Sequence, residues 1–385
     1  MADQGDDWTS PGGAARPDPE PPRYGERIPG WSQPAAAPVP VPAPTTYTPP
    51  PKPGLIPLHP LSFGQILGSA FAVIRFNPRA TIPPALIISL IQNVLTVGLT
   101  YLIGFTTVDR IERAANDADR ATIATGAALT GGAGFLAVLV ASVVGSALLQ
   151  GLLTRVVADG ALGRRPTAGE ALRAAAQRFW PLVGFSVLLG AAQLVLLLVF
   201  SASAVGLFVA FSGLANDLGI VVAILVALPI GAALTVLYLW FAVKLSLSPS
   251  VIVLERLPVR AAIARSWRLT HRAFWRTLGV LVVVTAMVSV ASQIVSTPFS
   301  FLGGAISGLL FPNSSGDLGS NLPQLFISTL PALIVAVIVT GIGQIAQVSA
   351  IVLVYLDRRM RTEGLDLELQ RFVEQGGDDP FERVG

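Results

Sequence analysis

Residues able to do chemistry are few in this chain. Two histidines, His59 and His271, are present in 385 residues, and cysteine is absent. A metal site needs several nitrogen, sulfur or carboxylate donors brought together, and a general base needs a partner that orients it. His59 stands in a proline-rich approach and His271 among arginines, so neither has that company. Serine is plentiful, but no Gly-x-Ser-x-Gly elbow and no Gly-x-x-x-x-Gly-Lys-Ser/Thr run occurs. The pattern predicts no catalytic centre, no bound metal and no cofactor.

Two other sets of residues carry physical meaning. The amides Gln92, Asn93, Gln150, Gln193, Gln293, Gln344 and Gln347 interrupt long apolar blocks. In lipid each costs free energy unless it faces another helix, so all are expected to point into a bundle and hydrogen-bond across it. Lining a path for a transported molecule is the other use such amides have. No Asp or Glu lies deep in these blocks, so a proton- or sodium-driven relay has no carrier. The second set is Arg173, Arg178, Arg260, Arg268 and Arg272 with Trp180, Trp267 and Trp275. Guanidinium groups bind phosphate and indoles favour the membrane–water boundary, which marks these as candidate contacts to lipid headgroups.

Elements that would position both sets follow from composition. The chain is 52% hydrophobic and only 13% charged, about half the charge that an ordinary soluble surface carries. Its apolar residues gather into blocks long enough to cross a hydrocarbon core of about 30 Å. Six spans are predicted, over 82–105, 132–157, 182–211, 218–246, 277–311 and 325–355. The excess length after Pro298 suggests a kink or a short helix on the surface. Seventeen basic residues flank the spans on one side, while Arg110, Arg113 and Arg120 stand alone on the other. That bias predicts a multi-pass protein of a bacterial plasma membrane with both termini cytoplasmic. Lys244, at the end of the fourth span, is expected to reach out to the headgroups.

Short amphipathic helices should lie beside the spans, one beginning at Leu61 and others before Phe179-Trp180 and Phe274-Trp275. In the last of these the apolar stripe is Val259, Ile263, Trp267, Thr270 and Phe274. A shift of 95 residues superposes five positions, Leu172-Arg173, Phe179-Trp180 and Gly184 on Trp267-Arg268, Phe274-Trp275 and Gly279. The chain therefore reads as an all-α membrane protein of three repeats, each an interfacial helix plus a helical hairpin. Residues 1–57 hold 16 of the 30 prolines and predict a disordered cytoplasmic tail able to meet a proline-recognising protein partner. The membrane domain is expected over 58–364, and a short cytoplasmic tail over 365–385. A net charge of +3 gives no reason to expect nucleic acid.

Four stretches resemble a bacterial family of multi-span proteins related to the membrane domain of glycerophosphoryl diester phosphodiesterases. They are Ile56-Pro57-Leu58 with Phe63-Gly64-Gln65-Ile66-Leu67, and Gly163-Arg164-Arg165-Pro166-Thr167 with Gly169-Glu170-Ala171. The third is Ala264-Arg265-Ser266-Trp267-Arg268-Leu269-Thr270 with Phe274-Trp275, and the fourth runs from Tyr355 to Arg361 with Glu363-Gly364-Leu365-Asp366. The resemblance implies fold and membrane location. Phosphodiesterase activity in such proteins belongs to a separate soluble domain that this chain lacks. The function expected is thus a non-catalytic scaffold or accessory protein that engages anionic lipid or a membrane partner; the rival expectation is a transporter or lipid-translocating protein with a path between the repeats.

Overall fold

The computed structural model describes residues 54–114, 116–212, 217–312, 318–375 and 381. The expected proline-rich tail, up to residue 53, lies outside them, as does Gly376-Gly377-Asp378-Asp379. Eleven helices are found among the described residues, with no strand. In chain order they are α1 (Phe63–Phe76), α2 (Pro78–Glu112), α3 (Asp117–Ala161), α4 (Ala168–Ala176), α5 (Phe179–Ser212), α6 (Asp217–Leu245), α7 (Ser248–Leu254), α8 (Val259–His271), α9 (Phe274–Leu310), α10 (Leu318–Glu363) and α11 (Leu365–Gln375). Six helical stretches are long and apolar enough to cross a membrane, with mean hydropathies of 1.9 to 2.5. The protein is an all-α, multi-pass membrane protein.

A short helix precedes each long hairpin: α1 before α2 and α3, α4 before α5 and α6, α8 before α9 and α10. Side-chain caps start two of the short helices cleanly. Ser62 and Thr167 each open a capping box, with Gln65 and Glu170 returning the bond to the cap backbone. The Thr167 bonds hold the Glu170 carboxyl below its ordinary value. The long helices pack as a ring in the order α2, α3, α5, α6, α9 and α10, closed by α10 on α2, with the α6–α9 seam the loosest.

Lengths differ from the sequence expectation where polar residues favour helix outside lipid. Helix α3 starts at Asp117, 15 residues before the predicted span, because Asn116 caps it at 2.8 Å and Asp117 and Asp119 complement its dipole. Helix α9 continues through Pro298 to Leu310, so the excess there is not a separate surface helix. Gly364, in the left-handed conformation at φ +69°, ends α10 and turns the chain into α11.

Most of the largest fully buried side chains sit at the arginine-rich end, among them Leu58, Leu61, Leu152, Ile252 and Tyr355. Where water bounds the protein, apolar burial drives packing; between lipid-facing helices it does not, and close backbone approach replaces it. Glycines mark those approaches. A Cβ at Gly145 of α3 would meet Ile88 at 2.9 Å, one at Gly343 of α10 would meet Val288 at 2.5 Å, and one at Gly303 of α9 would stand 1.9 Å from the Ser328 carbonyl oxygen.

The packed region also extends beyond the expected boundaries at 58 and 364. Leu55 and Ile56 are buried, and the Leu55 N–H donates to the Gly160 carbonyl at 2.8 Å. Helix α11 buries Leu365 and Leu369, and Gln370 donates to the Leu58 carbonyl at 2.8 Å. The two ends of the membrane domain therefore close on each other.

Candidate functional site

Arginines at this end fall into two groups. One group is consumed inside the fold. Asp357, 1% exposed, accepts from the Leu61 N–H at 2.9 Å and from Arg361 Nε at 2.9 Å, and forms an ion pair with Arg276 Nη1 at 3.1 Å. Glu255, 6% exposed, accepts from Arg265 Nε at 3.1 Å and from the Tyr355 hydroxyl at 2.8 Å. Glu363 pairs with Arg265 and, at 3.0 Å, with Arg359 Nε. Burial works against the charge of Arg265, but Glu255 and Glu363 outweigh it and hold the guanidinium above its ordinary value. Arg358 donates to the Leu269 carbonyl at 3.2 Å.

The second group has no such partners. Arg173, Arg260, Arg268 and Arg272 are exposed and Arg178 is half-buried, and none makes an ion pair or side-chain hydrogen bond with a described residue. Trp180 and Trp275, in the first turns of α5 and α9, are 79% and 80% exposed. Free guanidinium groups beside exposed indoles form a collar suited to phosphate at a lipid–water boundary.

Trp267 does not join that collar. It lies edge-on to Trp240 at 5.2 Å, with Lys244 Nζ 5.2 Å from its ring and 5.9 Å from that of Phe274. Lys244 is accordingly buried against aromatic faces, not extended to headgroups as its position at a helix end suggests. The buried face of α8 is also turned from the apolar stripe: Ala262, Ser266, Leu269 and Thr270 are covered, while Val259, Ile263 and Trp267 are partly open. The reason is local. Ser266 Oγ donates to the Lys244 carbonyl at 2.7 Å, and only small side chains permit α8 to come that close to the end of α6.

The amides are not assembled into one path. Gln344 Nε2 donates to Gln92 Oε1 at 3.2 Å, tying α10 to α2, and Asn93 bonds within its own helix to the Ser89 carbonyl at 2.8 Å. Gln347 is half-buried; Gln193 and Gln293 are exposed, contrary to the expectation that every amide points inward. Gln150 lines a cavity of about 560 Å³ bounded by α3, α5, α6, α7, α9 and α10. Sequence reasoning counted the arginines and overlooked their buried partners. Glu255 and Asp357 each sit within a turn of an apolar block, a placement that signals a paired carboxylate.

The chain matches no protein-family model, no curated protein and no solved structure.

Proposed function

We propose that this protein is a non-catalytic scaffold of a bacterial plasma membrane, with its arginine-rich end in the cytoplasm holding anionic lipid headgroups. The observation that carries this reading is the division among the arginines: the fold neutralises one group with buried carboxylates, while Arg173, Arg178, Arg260, Arg268 and Arg272 make no ion pair or side-chain hydrogen bond with a described residue. Trp180 and Trp275 flank them at the level where indoles anchor a helix. In this reading the proline-rich leader is a cytoplasmic tether for a protein partner. The proposed kinship with the membrane-domain family it resembles carries no phosphodiesterase activity to this chain.

Each exposed arginine near an anionic surface contributes about 1 kcal/mol. Protein reconstituted in mixed phosphatidylglycerol and phosphatidylcholine bilayers is therefore expected to retain phosphatidylglycerol several-fold above its bulk ratio, as read by native mass spectrometry. Changing all five arginines to glutamine should abolish that enrichment at a cost to stability of no more than about 2–3 kcal/mol in all, since substitutions at such positions stay within about 0.5 kcal/mol each. Wild-type protein that retains the bulk ratio would remove the lipid assignment.

Orientation has its own test, made simple by the absence of cysteine. In intact spheroplasts an impermeant maleimide should label Asn116→Cys, in the turn between α2 and α3, but label Glu368→Cys on α11 only after permeabilisation. Labelling of both from one side, or the reverse order, contradicts the proposed threading.

A further inference from the structure

The cavity beside Gln150 has three properties that together point to a ligand. First, it holds polar atoms with no protein partner: Gln150, Thr154 and Ser250 line it, and Gln150 Oε1, Thr154 Oγ1 and Ser250 Oγ are buried without a hydrogen bond. An unsatisfied buried polar atom costs about 1–3 kcal/mol, and here three of them belong to residues of α3 and α7 that line one space, where a change of rotamer would turn them toward an occupant. Second, the remaining wall is mainly aliphatic and carries no charged side chain. Of the two cations next to lining residues in sequence, Lys244 spends its ammonium on Trp267 and Phe274, and Arg155 pairs with Asp159 at 3.0 Å. Third, the space opens sideways. Tyr238 and Leu239 of α6 and Val282 and Thr285 of α9 line it and are exposed, and no described residue of α6 between 221 and 242 is buried. Helix α7, buried along nearly its whole length, closes the arginine-rich end through Pro249 and Ser250.

These properties define the occupant. A carboxylate or phosphate placed here would lack a counter-ion in a low-dielectric site, which excludes anionic lipid. A purely apolar molecule would leave all three polar atoms unpaired. What fits is an acyl chain against the aliphatic wall and an uncharged head whose hydroxyls both donate, to the Gln150 oxygen, and accept, from Thr154 and Ser250. The volume lies within the range of about 300–1,000 Å³ typical of small-molecule sites. We propose that this cavity binds a neutral single-chain lipid with a hydroxylated head, of the monoacylglycerol class, which enters from the bilayer between α6 and α9. This site is separate from the arginine collar and does not depend on the collar's role.

The test uses the full chain in phosphatidylcholine nanodiscs with a monoacylglycerol bearing a diazirine in its acyl chain. After illumination, crosslinks should concentrate on residues 238–245 of α6 and 278–289 of α9. Excess unlabelled monoacylglycerol should lower them at least fivefold, whereas the methyl ester or the phosphatidic acid of the same chain should not. Ala242→Trp and Ala286→Trp, which fill the space from opposite walls, should each lower labelling to a similar degree. The triple variant Gln150→Leu, Thr154→Val and Ser250→Ala removes the unpartnered atoms and is expected to fold at least as well as wild type; in it the ester and the monoacylglycerol should compete equally. Labelling spread evenly over lipid-facing residues, equal competition by the phosphatidic acid in the wild type, or indifference to both tryptophans would overturn the proposal and leave a cavity that holds only water or bulk lipid.

Discussion

Replacing Asp357 with alanine is expected to destabilise the protein by about 3–5 kcal/mol, the cost of removing one partner from a buried ion pair. The side chain is 1% exposed and serves three elements at once: Arg276 from α9, Arg361 from α10 and the backbone N–H of Leu61 ahead of α1. Without it two guanidinium groups crowd the Leu61 carbonyl, which accepts from Arg361 at 2.8 Å and also from Arg276, with no anion left to balance them. The loss should appear as a large fall in the midpoint temperature for monodisperse protein in detergent. Asp357→Asn keeps the shape and loses the charge, so it should fall between the two. The contrast is with Arg268→Gln on the exposed collar, for which almost no change is expected. A midpoint for Asp357→Ala within a degree of wild type would mean that the charged network is ornamental.

A comparable loss is expected from a single methyl group at Gly303. Its Cβ would lie 1.9 Å from the Ser328 carbonyl oxygen and 3.2 Å from the Ser328 Cα, so backbone must move against backbone and no rotamer can relieve the clash. Overpacking of this kind costs about 1–3 kcal/mol and sometimes more. Gly304, the next residue, has nothing within 4 Å of its would-be Cβ. There the same change gains roughly 0.5–1 kcal/mol of helix propensity where nothing opposes it. The pair can be read with one thermal assay: Gly303→Ala should loosen the α9–α10 hairpin and Gly304→Ala should match or exceed wild type. Equal behaviour of the two variants would show that α9 and α10 do not approach this closely.

The region where these effects arise was only partly legible beforehand. The basic residues around Arg265 and Arg361 stand out in the sequence because they are dense and flank apolar blocks. Their division into a buried set and a free set does not, since it depends on which arginine reaches Glu255 or Asp357 across the fold. Lys244 illustrates the same limit. Its place at a helix end suggests an outward reach, but Trp267 from α8 and Phe274 from α9 converge on it. Helix α8 was legible as an amphipathic helix, but its contact face was not, because that face is chosen by the closest approach of a neighbour and not by the bulkiest stripe.

Alone, the sequence determined that the protein is helical, that six of its helices are long and apolar enough to span a membrane, and that a short helix precedes each hairpin. Those properties are local: hydropathy over some twenty residues, caps such as Ser62 and Thr167, and a helix-ending Gly364 act within a few turns of chain. Only the tertiary structure decided which arginines are neutralised, which glycines admit a neighbouring backbone, and that Gln150, Thr154 and Ser250 share one cavity. Each of these depends on contacts between different helices, from Gly303 and Ser328, 25 positions apart, to Asp357 and Leu61, 296 apart. A periodic apolar pattern shows where a helix lies along the chain but leaves its rotation and its neighbours open, because in lipid every apolar face is solvated equally well.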